Sequence, residues 1–565
     1  MTRSELPKTQ HAVQLMGPGE LRHNPEKEVF RPGPRQILAK VEAVGLCFSD
    51  LKLLKQFSKH VRKGEVIRGL SPEVLRQIPS YVPGEKPTVP GHEVVCRIVA
   101  VGDKVQHHRL GERCLVQTDY RELRTSESNA AFGYNFEGGL QEYVLMDERV
   151  IIDPESGERF LIPVDEALSA SAVALVEPWA CVEDSYVNPE RQHIKPGGSL
   201  TVVADEGHEI KGLAEALSGG KPASLTAVCA TGSQDEIFQT LGVPIERAGS
   251  VSALPDEDFD DIIYFGAHAP TIAILSDKLS SRGIINIVTG GKCIGEPVSV
   301  GVGRVHYGMT RWIGTNSERA IESYRTVPPN GEIRQGERIA VIGAAGPMGQ
   351  MHVIRALCLG VQEISLVATD IDDARLKTLI TKAKPLAEAN GIDLKVINTS
   401  KEQLQQEFSY FAVLVPAGKL VADAIQHSAR GCLINIFAGI PAATRNDLDL
   451  DRYIANQCFM FGTSGSVIGD MKIVLNKVQG GRLDTNCSVD AVAGMAGAVD
   501  AIAAVENRSL AGKIIVYPML HELGLIPLAD LRNIFPTVSE KLERGQWTKA
   551  AEEELLGVAG GSSKG

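Results

Sequence analysis

The chain holds ten cysteines, yet no two of them stand in a CxxC pair. Secreted disulfide scaffolds and multi-cysteine metal lobes bring thiols together at short fixed spacings. The scatter seen here, at 47, 96, 114, 181, 229, 293, 358, 432, 458 and 487, implies reduced thiols in a cytoplasmic protein. Also missing is any run approaching about 18 uninterrupted apolar residues, so no membrane span and no membrane partner are expected. The opening MTRSELPKTQHAVQL lacks the apolar core that a secretory signal needs. There is no basic excess: the formal net charge is −12, with both signs interspersed. That argues against a nucleic-acid partner, because a polyphosphate requires a positive field.

Aromatic residues are few, at 5%, whereas glycine is abundant, at 56. This balance suits α/β folds with many tight strand-to-helix turns. With 565 residues the chain is long enough for three or four ordinary domains. Residues 10–150 carry short strand-forming runs (HAVQLM, QILAKVEAVGL, HEVVCRIVAVG, ERCLVQ, QEYVLM) separated by Gly, Pro and Asp. A basic stretch from Leu51 to Ser80 interrupts them. Residues 163–187 read as an amphipathic helix with Pro178 at a break. Beyond it strands alternate with helices, the pattern of parallel βαβ units.

That pattern occurs twice. HIKPGGSLTVVA at 193–204 matches EIRQGERIAVIG at 332–343, 139 residues on. SRGIINIVTGG at 281–291 matches ARGCLINIFAG at 429–439, and WIGT at 312–315 matches MFGT at 460–463, both 148 residues on. Matches kept in one order predict two consecutive doubly wound domains. The chain then returns to strand character in AGKIIVYPMLHELGLIPLADL and ends in a charged helical segment and a predicted disordered tail at 556–565.

In the second repeat, RIAVIGAAGPMGQMHVIRAL places Gly343, Gly346 and Gly349 between an apolar strand and a helix opened by Pro347 and Met348. Glycine lets the backbone turn tightly and approach a pyrophosphate, with helix N–H groups as donors. Ala345 stands where a further glycine is usual and is still small. The next strand, EISLVATD, ends at Asp370, 21 residues after Gly349. A carboxylate there binds a ribose 2′-hydroxyl and repels a 2′-phosphate, so NAD is favoured over NADP. Arg375, a few residues on, is the opposing cue. In the first repeat Ala204, Gly207 and Ile210 stand opposite the glycines, Asp205, Glu206 and Glu209 would repel phosphate, and Thr231 stands opposite Asp370. That copy is expected to bind no NAD, and to serve as a structural or interface domain or as a regulatory site for another ligand.

A second constellation lies near the N-terminus. GLCFSDLK supplies Cys47, Ser49 and Asp50 after an apolar strand, VPGHEVV supplies His92 and Glu93, and LVEPWACV adds Glu177. Thiolate, imidazole and carboxylate together make a mixed zinc site with room for a water or an alcohol oxygen. Zinc there polarises an alcohol and lowers its pKa. Asp50 could fix the tautomer of His92, and Ser49 could relay the alcohol proton. Singly, each has a plainer reading: a buried thiol, a turn into a strand, a helix boundary.

The succession GLCFSDLK, GHEVVCRIVAVGDKV, GGLQEYVLM, VEPWACV, a Rossmann domain and AGKIIVYP resembles the zinc-dependent medium-chain dehydrogenase/reductase family. The resemblance covers nearly the whole chain apart from the extra domain and the tail. The Glu-Pro at 177–178 is similar to the sorbitol dehydrogenase branch. The resemblance implies an α/β fold class: a GroES-like β-rich catalytic domain at 1–165 completed by 510–550, a degenerate Rossmann-like domain at 190–325, and an NAD-binding Rossmann domain at 330–505. It implies one catalytic zinc at Cys47, His92 and Glu93, with Glu177 as a further ligand or acting through bound water. Of the family's four-cysteine structural lobe only Cys114 is present, so no structural zinc is expected. The implied activity is hydride transfer between NAD(H) and a secondary alcohol or ketone, on a small-molecule polyol, sugar or sugar phosphate. A catalytically inactive NAD-sensing or structural protein of the same fold is the alternative. The basic run Lys52, Lys55, Lys59, His60, Arg62 and Lys63 is either a solvated face or a contact for a phosphorylated substrate. Rossmann sheets in this family often join edge to edge between subunits. The two copies are therefore expected to meet internally, through strands near Val298–Val302 and Leu448–Arg452, as a pseudo-dimer; a homo-oligomer is the other arrangement.

Overall fold

The computed structural model describes residues 6–229, 237–238, 241–463 and 465–560. They divide into two compact units, Met1–Glu183 with Ser466–Gly565, and Asp184–Gly465.

The first unit is organised around the strand Gln36–Gly45. Its sequence, QILAKVEAVG, is apolar and largely buried, as befits a central strand covered on both faces. It pairs antiparallel with Glu93–Val101, Tyr143–Asp147 and Lys513–Val516. The last of these comes from the far end of the chain. Ala491, Ile514 and Val516 accordingly share a core with Val41, Val94, Cys96 and Val144.

Residues 466–505, assigned from their pattern to the second Rossmann copy, belong to this first unit. The strand Val489–Ala493 runs parallel to Lys513–Val516. Their helix–strand–helix pattern is that of any βαβ unit, so periodicity could not say which sheet they join. The expected disordered tail also needs correction. The helix Lys549–Gly560 runs through its first part, because Ala551 and Leu555 are buried and Glu552 accepts the Tyr517 hydroxyl and the backbone N–H groups of Ala170 and Ser171. Residues 561–565 lie outside the described residues.

Among the described residues, twelve strands of the second unit form one sheet. In chain order they are β1 (Ser199–Ala204), β2 (Ser224–Val228), β3 (Ile245–Arg247), β4 (Phe259–Phe265), β5 (Leu279–Val288) and β6 (Arg311–Thr315). The second series is β7 (Arg338–Ile342), β8 (Ser365–Asp370), β9 (Asp393–Asn398), β10 (Phe408–Val413), β11 (Ser428–Ile436) and β12 (Phe459–Phe461). Across the sheet they stand in the order β3-β2-β1-β4-β5-β6-β12-β11-β10-β7-β8-β9. Each half is parallel throughout and has the 3-2-1-4-5-6 order of a doubly wound domain. The halves meet through β6 and β12, which run antiparallel.

The register at this junction follows the repeat. Trp312 of β6 faces Met460 of β12, and these are equivalent residues 148 positions apart. A second ribbon pairs Val298–Val300 with Asn446–Leu448, centred on Ser299 opposite Asp447, again 148 apart. Where equivalent residues face each other across an antiparallel pair, a two-fold pseudo-axis passes between them. The packing is continuous across it: Ile287, Trp312, Ile434, Tyr453 and Met460 share one core. The Tyr453 hydroxyl donates to Trp312 O and accepts from the Met460 N–H, both at 2.8 Å.

Two outcomes follow from these contacts. Trp312→Ala should destabilise the protein by about 3–5 kcal/mol through the cavity it leaves, read from denaturant unfolding. His352 is fully buried on the helix Pro347–Cys358, 2.7 Å from the Tyr186 hydroxyl. Burial, aided by the nearby Arg355, lowers its pKa to about 3. Because the unfolded chain takes a proton near pH 6.5 and the native state resists it, this site's share of stability is intact above that pH. It drains away as pH falls towards 3. His352→Gln should flatten the decline in stability between about pH 6.5 and pH 4.

Candidate metal centre and nucleotide loop

Gly45 closes the central strand of the first unit, and its register assembles a site. It pairs with Glu93 on one side and Ile515 on the other. Three strand ends therefore converge. Cys47 caps the helix Phe48–Gln56, His92 and Glu93 enter the second strand, and Lys513 opens the third. A Cβ on Gly45 would lie 2.1 Å from Glu93 Oε2, so only glycine admits that carboxylate.

The ligand atoms of Cys47, His92 and Glu93 all lie within 4.8 Å of one another. Asp50 accepts from His92 Nδ1 at 3.0 Å and from the Cys47 N–H at 3.1 Å. With the Nδ1 proton held by Asp50, Nε2 is the ring atom left to a metal, which would bind there by displacing the second proton. Burial alone would raise the Asp50 carboxyl, but the facing imidazole outweighs it and holds the group below its ordinary range. Burial opposes charge on His92 too, and Asp50 outweighs that, raising its pKa. Ser49 Oγ donates to Cys47 Sγ at 3.0 Å and lies 3.2 Å from His92 Nε2.

Glu93 Oε1 accepts from Lys513 in a buried ion pair, while Oε2 has no hydrogen-bond partner among the described residues. A dry carboxylate oxygen without a donor is costly. With the Cys47 thiol and the His92 imidazole, the Glu93 carboxylate makes a donor set that fits zinc. Glu177, expected as a further ligand or as acting through bound water, does not join this group within 4.8 Å. It sits in the first turn of the helix Val176–Val187. Burial raises its carboxyl to about 7, with His92 and Lys513 pulling it down and Glu93 pushing it up. Lys513 escaped the sequence reading, because its partner is 420 residues away and no local spacing links them.

The basic run proves divided. Lys63 is buried and donates to the carbonyls of Val82 and Lys86. Arg62 forms a two-pronged pair with Asp119, its guanidinium 5.6 Å from the centre of the Tyr134 ring. His60 is buried, accepts from the Arg62 N–H at 3.2 Å, and is lowered to about 4 by burial and by Arg62 and Lys52. Lys55 pairs with Glu506 at the surface. Lys52 and Lys59 are exposed. The charges at Arg62 and Lys63 thus serve the fold of the insertion.

In the second unit, β7 runs into Gly343 and the helix Pro347–Cys358 is capped by Gly346. Gly343 takes a left-handed φ of 82°. A Cβ on Gly349 would meet Gly343 O at 2.2 Å, so glycine there lets helix and strand close up. A Cβ on Gly346 would meet nothing within 4 Å, which leaves the helix N-terminus open to an anion. Pro347 fills the first helical position, where no N–H is required, and Met348 follows. Asp370 ends β8 and accepts from the Ala345 N–H at 3.1 Å and the Ile371 N–H at 2.8 Å. Arg375 lies 3.9 Å from Asp372. In the first repeat the chain after β1 leads only to the one-turn helix Leu213–Ala216; Thr231 lies outside the described residues.

A family model described as the alcohol dehydrogenase GroES-like domain matches residues 33–155. A sorbitol dehydrogenase of Sus scrofa is 32% identical over 102 residues, which cover 18% of this chain and 84% of that one. The chain belongs to the zinc-dependent medium-chain dehydrogenase/reductase family. The L-sorbose 1-phosphate reductase of Klebsiella pneumoniae is 25% identical over 338 residues, 54% of this chain and 75% of that one. The uncharacterized protein YggP of Escherichia coli (strain K12) is 25% identical over 266 residues, 41% of this chain but only 60% of its own length. The family's two architectural parts are both present: a GroES-like β-rich fold and Rossmann-type parallel sheets, here doubled.

Removing the acceptor behind His92 should loosen metal without removing a ligand. Asp50→Asn is expected to weaken zinc binding about 10- to 100-fold, measured by competition with a chromogenic chelator. Lys513→Met strands the Glu93 carboxylate and should cost about 3–5 kcal/mol in the metal-free protein, measured by denaturant unfolding.

Proposed function

We propose that the chain is a zinc-dependent oxidoreductase that transfers hydride between NAD(H) and a secondary alcohol or ketone, on a polyol, sugar or sugar phosphate. One observation carries this reading: a single chain combines the Cys47–His92–Glu93 donor set with a strand, glycine loop, helix and terminal Asp370 in the order a dinucleotide requires. When bound, zinc lowers the pKa of an alcohol and NAD accepts hydride.

The chain's own residues would do the rest. Cys47, His92 and Glu93 hold one metal ion per chain, with no structural zinc elsewhere. Asp50 keeps the proton on His92 Nδ1, so that Nε2 stays a ligand. The Ser49 hydroxyl, near both the sulfur and Nε2, would relay the alcohol proton, accepting it as it passes its own on to solvent. Lys513 balances one oxygen of Glu93, which keeps the donor set from accumulating uncompensated negative charge. Glu177, its carboxyl raised by burial, acts from beside the ligand group. Gly343, Gly346, Pro347, Met348 and Gly349 cradle the pyrophosphate, and Asp370 accepts from the ribose hydroxyls, with Arg375 flanking them. The substrate is a small molecule handled in the cytoplasm, and the fused sheet stands in for a pair of subunits.

Metal content and NAD binding of wild type, Cys47→Ser and Asp370→Ala test this together. About one zinc per chain should be lost in Cys47→Ser with NAD binding kept. In Asp370→Ala, NAD affinity should fall about tenfold or more, the cost of losing charged hydrogen bonds to the ribose. Turnover on a panel of polyols, sugars and sugar phosphates then sets the substrate. A zinc-free protein that still binds NAD would support the sensing or structural reading instead.

A further inference from the structure

The first Rossmann copy has lost its phosphate cradle but has kept a cavity. It measures about 520 Å³ and opens at the carboxyl ends of β1, β2 and β3. Its walls come from the ends of β1 (Val203, Asp205), β2 (Val228, Cys229) and β3 (Arg247, Ala248), with Val251 and Thr271 beside them. Strand order reverses at β1, which has β2 on one side and β4 on the other. In open parallel sheets this switch point is where ligands bind. The volume is that of a small-molecule site.

The polar part of the cavity is fixed in advance. The buried Tyr264 hydroxyl donates to Asp205 Oδ2 and accepts from the His268 N–H at 3.1 Å. A Cβ on Gly266 would fall 2.4 Å from both Asp205 Oδ2 and the Tyr264 hydroxyl, so glycine makes room for this pair. Among the described residues the other Asp205 oxygen makes no side-chain hydrogen bond. It is a pure acceptor, suited to the hydroxyls of a sugar. Val203, Val228, Ala248 and Val251 offer flat apolar cover for a ring. Arg247 has its guanidinium 3.8 Å from Cys229 Sγ and 5.9 Å from the centre of the Phe238 ring, and its opposite planar face can stack on a base.

Phosphate, by contrast, is shut out. Asp205 and Glu206 bring like charge to the loop after β1. The helix that follows starts only at Leu213 and lasts one turn, so among the described residues β1 leads to no long helix of the kind that Gly346 caps. We propose that this cavity binds an unphosphorylated nucleoside, gripped by sugar and base alone. The site is separate from the NAD loop of the second copy and does not depend on the oxidoreductase reading.

Adenosine is the probe. Titration calorimetry of the full chain at saturating NAD should show one adenosine per chain. AMP should bind about tenfold or more weakly, because its phosphate meets the two carboxylates. Ala248→Trp, which fills the cavity, should abolish adenosine binding, and Arg247→Ala, at an exposed position, should weaken it about fivefold, the share of one stacked contact. Asp370→Ala should leave adenosine binding intact while NAD binding weakens, which separates this proposal from the NAD reading. Hydrogen exchange should slow in peptides covering 199–206 and 245–252. The proposal is overturned if NAD displaces adenosine completely, if Ala248→Trp and Arg247→Ala bind it like wild type, or if millimolar adenosine neither binds nor protects those peptides.

Discussion

A carboxylate buried next to a strand end must be compensated, and Glu93 shows how much structure that requirement recruits. Its side chain enters where Gly45 has none. One oxygen is met by Lys513, delivered by a strand from the far end of the chain. The other has no hydrogen-bond partner among the described residues, and the carboxylate stands within 4.8 Å of the Cys47 and His92 ligand atoms. Dry charges are tolerated only when their partners are in place, so the sheet's closure and the donor set are one arrangement. If the terminal strand does not return to pair with Gln36–Gly45, Glu93 has no counter-ion.

The second unit rests on a different constraint, symmetry. Equivalent residues face each other at two separate ribbons, Trp312 with Met460 and Ser299 with Asp447. An isologous contact uses each surface twice, so a duplicated domain arrives already complementary to its copy. The buried Tyr453 ties the junction by satisfying backbone groups of both β6 and β12.

What could be read from the sequence was local. Gly343, Gly346, Gly349 and Asp370 follow one another along a single βαβ unit, and short strings supplied Cys47, His92 and Glu93. Strands near Val298–Val302 and Leu448–Arg452 were expected to meet from the family resemblance, and Val298–Val300 does pair with Asn446–Leu448; the β6–β12 contact that joins the sheet was not expected. What could not be read depended on long-range register. Lys513 meets Glu93 only through the sheet, and Glu177 is held near the ligand group by a helix whose exact position no string encodes. Residues 466–505 looked like more of the same alternating pattern, and Lys63 looked like surface charge until its carbonyl partners were in place.

The fusion at β6 and β12 has a kinetic and evolutionary side. Two separate chains meeting at such an edge come apart on dilution, and their melting depends on concentration. Joined in one polypeptide, the same contact becomes intramolecular, with an effective concentration set by the connecting chain alone. The halves are then always present in equal number and never compete with self-pairing. One of them is consequently free to abandon its helix and glycines, as the loop after β1 has done, while still covering the exposed edge of the other.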